Sequence, residues 1–162
     1  PVLTARDAAH RRLAETWRRG LEPPFSLEGE TIYYVGPCPA PPGHLIGSAG
    51  PTTSGRMDRF TPDLLAHGLR GMIGKGQRSP EVVEAISAHG AVYFAALGGA
   101  GALIAQRIVR VEEVAYHDLG TEAVRRLWLN ELPVVVAVDA RGRDIYREGP
   151  REYARETLGG GR

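Results

Sequence analysis

The chain has 162 residues, 43% hydrophobic and 24% charged, which suits one compact domain able to bury a core. Its 20 basic residues face 19 acidic ones for a formal net charge of +1, which excludes a strongly basic nucleic-acid grip and a highly charged disordered chain. One cysteine, Cys38, excludes an internal disulfide, a cysteine-based zinc site and a self-contained iron–sulfur cluster.

Residues 6–19 carry a helical pattern with Ala8, Ala9, Leu13 and Trp17 on one side, closed by Gly20. Residues 31–35 are β-branched and aromatic and predict a strand. A proline-rich loop covers 36–43, and residues 44–60 are rich in Gly, Ser and Thr without any period, as in a connector or a site. Thr61 is expected to cap a helix with Pro62 in its first turn and Gly68 or Gly71 at its end. Residues 71–76 predict a short buried strand entering a tight turn, and Ser79-Pro80-Glu81 opens a helix that Gly90 stops. Residues 91–97 predict an apolar strand, 98–108 a glycine-started helix and 111–116 another strand. Thr121 is expected to cap a helix running to about Leu129. Residues 134–138 predict a buried strand, which 139–143 turn back into a hairpin partner at 144–147. The alternation gives an α/β layered domain over 1–150, followed by a fraying tail over 151–162.

No apolar run approaches the ~20 residues of a membrane-spanning helix. The polar, charged start lacks a signal-peptide pattern, so a soluble, cytoplasmic protein is expected. The chain begins at Pro1, which implies either a removed Met or a piece of a longer protein.

Two glycine motifs are decoys. Gly74-Lys75 resembles the end of a P-loop, but Leu69 stands where that motif needs Gly and Gly76 where it needs Ser or Thr. Gly98-Gly99-Ala100-Gly101 follows a predicted strand, yet its spacing fails the dinucleotide fingerprint, and close helix–sheet packing accounts for it. His10, His44, His67, His89 and His117 show no metal-ligand spacing, and Cys38 between two prolines has no histidine near it in sequence. The strongest signal is residues 47–58, Gly-Ser-Ala-Gly-Pro-Thr-Thr-Ser-Gly-Arg-Met-Asp. Glycines there let main-chain N–H groups approach a ligand, Thr52, Thr53 and Ser54 supply hydroxyls, and Arg56 supplies a planar group that matches a carboxylate. Lys75 is the only lysine beside 19 arginines, set between two glycines. Arg6, Arg56 and Lys75 together suit a small dicarboxylate if the fold brings them together; the bland alternatives are an Arg6–Asp7 pair at a helix start and an exposed Arg56.

Residues 4–10, 47–58, 71–76, 91–101 and 118–123, in that order, resemble the β-type half of class I fumarases and L-tartrate dehydratases. The resemblance runs from about Thr4 to Tyr146 and implies a swivelling β/β/α domain of an iron–sulfur hydro-lyase. It implies a [4Fe–4S] cluster held by an α-type partner subunit or domain rather than by this chain. Thr52 matches the base that removes the carbon-bound proton, and Arg6, Thr53, Arg56 and Lys75 match substrate-binding residues, with Gly50 in the same loop. The implied reaction is reversible hydration of fumarate to malate. L-tartrate dehydration is the same-class alternative, and a non-catalytic dicarboxylate-binding module the alternative from another class. The family carries a strand-containing segment before its Thr-Ala-Arg-Asp motif; here only Pro1-Val2-Leu3 precede it, so a missing edge strand or a longer parent chain is expected.

Overall fold

A computed structural model describes residues 1–158. Seven strands form one mixed sheet: β1 (Val2–Thr4), β2 (Thr31–Tyr33), β3 (Gly71–Gly74), β4 (Val92–Ala95), β5 (Ile108–Ala115), β6 (Val124–Leu129) and β7 (Val135–Val138). Their spatial order is β5-β6-β1-β2-β3-β4-β7. The four central strands β1 to β4 run parallel, while β6, β5 and β7 are antiparallel to their neighbours. The described residues form five α-helices, the first four between strands and the fifth after β7: α1 (Asp7–Arg18), α2 (Thr61–Ala66), α3 (Pro80–His89), α4 (Gly101–Ala105) and α5 (Ile145–Leu158). The expected α/β class is therefore observed.

The parallel strands alternate their buried side chains between two apolar cores, one on each face. Leu3, Ile32, Tyr34, Met72 and Tyr93 face α1, α2 and α3, meeting Leu13, Leu64, Leu65, Val82 and Ile86. Val2, Tyr33, Ile73 and Leu127 face the opposite way and meet Ile46, Ala49 and Ile104. No helix among the described residues is long and apolar enough to cross a membrane.

Several local signals act as expected. Ser79 Oγ accepts a bond from the Val82 N–H at 3.4 Å, and Gly90 ends α3 in a left-handed conformation at φ 63°. Other expectations need correction. Thr61 is the first residue of α2 rather than its cap; its hydroxyl donates to the Met57 carbonyl at 3.0 Å. Residues 121–129 do not form a helix: 124–129 become β6, which pairs with both β1 and β5. The helix expected over 98–108 shrinks to α4, and Ile108 already belongs to β5. The hairpin partner at 144–147 reduces to one bridge, Val138 to Asp144, after which Asp144 Oδ1 accepts from the Tyr146 N–H at 2.9 Å and α5 begins. Residues 151–158 continue α5, and residues 159–162 lie outside the described residues. At the Thr-Ala-Arg-Asp motif, Val2–Thr4 forms β1 in the interior of the sheet.

Candidate active site

In parallel sheets, ligand sites gather at the carboxyl ends of the strands, where loops of free geometry meet. The candidate residues gather there. Arg6 lies just beyond β1 and Lys75 directly after β3. The 47–58 loop is inserted between the carboxyl ends of β2 and β3: the Thr52 N–H donates to the Tyr34 carbonyl at 2.8 Å and the Ser54 N–H to the Lys75 carbonyl at 2.9 Å. Thr53 thereby pairs with Lys75 in a short parallel bridge. Gly50 sits against Gly101, where an added Cβ would stand 3.4 Å from the Gly101 Cα, so this loop also touches the start of α4.

Side chains then link the arginines. Arg56 rides on a single 3-10 turn, Ser54–Met57. Its Nε and Nη2 donate to the two carboxylate oxygens of Asp7, at 2.9 and 2.7 Å. Its third nitrogen, Nη1, donates to Thr52 Oγ1 at 3.3 Å. Arg6 Nε lies 3.4 Å from Asp7 and 3.5 Å from Glu122. Partial burial pushes the Asp7 carboxyl up, but its own backbone N–H, Arg56 and Arg6 outweigh that and hold it below the usual carboxylate value. Lys75 makes no ion pair among the described residues, and its side chain runs past Gly98, where an added Cβ would stand 3.9 Å from Nζ. Arg6, Thr52 and Arg56 are thus joined through Asp7, while Thr53 and Lys75 are joined through the backbone. The arrangement offers a hydroxyl next to a guanidinium with an ammonium on the adjoining strand end.

The family model described as the fumarase C-terminus matches residues 1–149. The chain belongs to that family. It is 38% identical over 149 residues to the anaerobic class I fumarate hydratase of Escherichia coli (strain K12), which covers 91% of this chain and 27% of that protein. It is 38% identical over 149 residues to the mitochondrial fumarate hydratase 1 of Leishmania major, again 91% and 27%. The putative L(+)-tartrate dehydratase subunit beta of Methanocaldococcus jannaschii is 36% identical over 153 residues, covering 91% of this chain and 78% of that protein. The chain therefore spans about a quarter of the length of the fumarate hydratases it matches.

Beneath the site of this fumarase-family chain lies a layer that sequence reasoning missed. Arg78, with a fully buried side chain, donates from Nε to Asp58 at 2.7 Å and from Nη2 to Thr61 Oγ1 at 2.7 Å, and its guanidinium stands over the rings of Tyr34 and Tyr93. Burial works against its charge, but Tyr34 and Asp58 outweigh burial and leave it more firmly protonated. The other oxygen of Asp58 accepts from the Ser79 N–H at 2.7 Å. Tyr93 donates its hydroxyl to the Gly76 carbonyl at 2.7 Å and accepts from Ser54 Oγ at 2.9 Å; burial pushes it up to about 12, so it stays protonated at neutral pH. These bonds tie the Thr52–Arg56 loop to the Lys75 turn. Asp58 closes the strongest motif and was legible as part of it, whereas nothing marks Arg78 among 19 arginines.

Proposed function

We propose that this chain is the β-type half of an iron–sulfur hydro-lyase that interconverts fumarate and malate together with a partner carrying a [4Fe–4S] cluster. The observation that carries the reading is Thr52 Oγ1 held 3.3 Å from a guanidinium nitrogen of Arg56, at the strand ends where Arg6 and Lys75 also lie. The fumarate hydratase names of its relatives support it. In the complete enzyme the chain acts as a swivelling β/β/α domain that closes the site against the partner.

The donor set of this chain does not fit the cluster. Its single cysteine is exposed, and the described residues hold no group of three or more His, Cys, Asp or Glu side chains suited to a metal ion. The cluster would then be held by the partner, and this chain's own side chains would supply proton transfer and charge stabilisation. In dehydration, Thr52 acts as its alkoxide: Oγ1 takes the proton from the carbon next to a carboxylate and becomes the neutral hydroxyl, the electron pair left behind forms the carbon–carbon double bond, and hydroxide leaves the neighbouring carbon. Negative charge builds on that carboxylate as the proton departs, and Arg6, Arg56 and Lys75 stabilise it as preorganised cations. A threonine hydroxyl ionises far above neutral pH in water, so its alkoxide requires nearby positive charge, which Arg56 supplies by a direct hydrogen bond. Thr53 and Gly50 complete the substrate side of the loop.

The match to the putative tartrate dehydratase subunit beta covers 78% of that protein and makes L-tartrate the second substrate to examine. The test is anaerobic co-purification with an α-type partner, followed by assays on malate and L-tartrate. The proposal expects turnover of malate and fumarate; a clear preference for tartrate selects the second reading. Binding of malate without any turnover by the partnered protein would leave only a dicarboxylate-binding module. Lys75→Arg keeps the charge but replaces a compact ammonium by a broad planar group, and is expected to cost most of the activity. Full activity in that variant removes Lys75 as a specific ligand.

A further inference from the structure

The carboxylate of Asp7 occupies one whole edge of Arg56. Oδ1 takes Nε and Oδ2 takes Nη2, so the guanidinium plane is set by a two-point grip. Because that group is rigid and planar, gripping the Nε–Nη2 edge also fixes where the remaining nitrogen points, and Nη1 points at Thr52 Oγ1. Arg56 itself is 48% exposed on a single 3-10 turn and has no other charged partner among the described residues. An arginine so placed has many rotamers open to it, which would spread Nη1 away from Thr52.

Asp7 is well anchored for this role. It is the first residue of α1, and that helix start is held from three sides. The Ala8 N–H donates to Glu122 at 2.7 Å, the His10 ring donates from Nδ1 to the Arg6 carbonyl at 2.8 Å, and Arg6 Nε leans on both Asp7 and Glu122. The grip therefore joins a loose loop arginine to a fixed helix.

We propose that Asp7 is a positioning residue that holds Arg56 with its third nitrogen on the Thr52 hydroxyl. The inference rests on the reading of Thr52 as the base. Within that reading Arg56 presents a single donor, Nη1, to the site rather than a two-point clamp for a substrate carboxylate. The rival is that Asp7 merely fills the place of an absent substrate carboxylate and is displaced when substrate binds.

The experiment compares Asp7→Asn with the parent protein, each assembled with its partner half, and reads kcat and KM separately. The same two chains are compared by NMR for solvent protection of the Arg56 Nε–H and for an unchanged backbone amide spectrum. Positioning predicts a fall in kcat of about tenfold to a hundredfold with KM within about threefold, and loss of Nε–H protection while the amide spectrum is kept. A lower KM with kcat retained would show Asp7 to be a placeholder and overturn the proposal. Unchanged Nε–H protection in Asp7→Asn overturns it equally, since nothing would then have been held. Should Asp7→Asn fail to fold, Asp7→Glu keeps the charge and moves it by one methylene; positioning predicts the same kcat-weighted loss, smaller in size, and unchanged kcat refutes it. Thr52→Ala separates the two layers: if it turns over normally the reading of the base has failed, whatever Asp7 does.

Discussion

Lowering the pH should unfold this protein through His10. The imidazole sits on the buried face of α1, edge-on to Tyr34 at 5.4 Å and tilted against Phe60 at 6.1 Å. A carbonyl only accepts, so Nδ1 carries the proton that bonds the Arg6 oxygen, and Nε2 is left as a buried acceptor without a partner. Burial pushes the ring down to about 4; the Arg6 carbonyl opposes this, Arg78 reinforces it, and Asp7 opposes it weakly. The unfolded chain keeps the ordinary value near 6.5, so between the two values the unfolded state binds more protons than the folded one. The resulting stability is fully present above about pH 6.5 and is lost as pH falls towards 4. The gap is worth about 3 kcal/mol, a large part of what a domain of this size has in reserve. Urea unfolding at about pH 7.5 and about pH 4 should show the parent losing about 3 kcal/mol more than His10→Asn, which cannot titrate. Subtracting the variant removes what Asp7 and other acids contribute in common. Equal losses in the two proteins would refute the argument.

Two further perturbations follow from the layer beneath the site. Arg78→Leu leaves Asp58 with a mostly buried, uncompensated charge and should cost about 3–5 kcal/mol in urea unfolding; a loss below about 1 kcal/mol would mean that water reaches Asp58 freely. Gly74→Ala places a Cβ into Ser54 Oγ and 2.9 Å from Tyr34 Cδ2, and should cost about 1–3 kcal/mol by thermal melting. Adding Ser54→Ala should restore part of that loss, and no restoration would place the strain at Tyr34 instead.

The correction at residues 121–129 has its cause in the sheet. Thr121 reads locally as a helix cap, and in β6 the buried residues Val124 and Leu127 stand three apart, a spacing a helix turn shares. What decides the strand is the neighbour on each side: β1 and β5 offer backbone partners, and Arg126 and Arg125 find Glu30 and Glu113 across the sheet. Of those partners β1 and Glu30 are distant in sequence, Glu30 by 96 residues, whereas β5 is the preceding strand. The opposite holds for α3, where Ser79, Pro80 and Gly90 act within one helix length and could be read directly.

The site divides along the same line. Residue order alone sets the chemistry on offer: the hydroxyls of Thr52 and Thr53, the cations Arg6, Arg56 and Lys75, the glycines that let the loop pass closely, and a single cysteine, too few for a cluster. Composition and local spacing are enough for that, since they state which groups exist and how freely the backbone carries them. The tertiary structure decided who meets whom. It put Arg6 and Asp7 of β1's carboxyl end beside a loop some 45 residues on, and pinned that loop to Lys75 through Ser54, Tyr93, Asp58 and Arg78. A bidentate ion pair has no signature in one sequence, because it depends on the angle between two elements set by the parallel sheet. The edge of Arg56 that Asp7 occupies, and so the direction of the nitrogen facing Thr52, exists only once β1, β2 and β3 lie side by side.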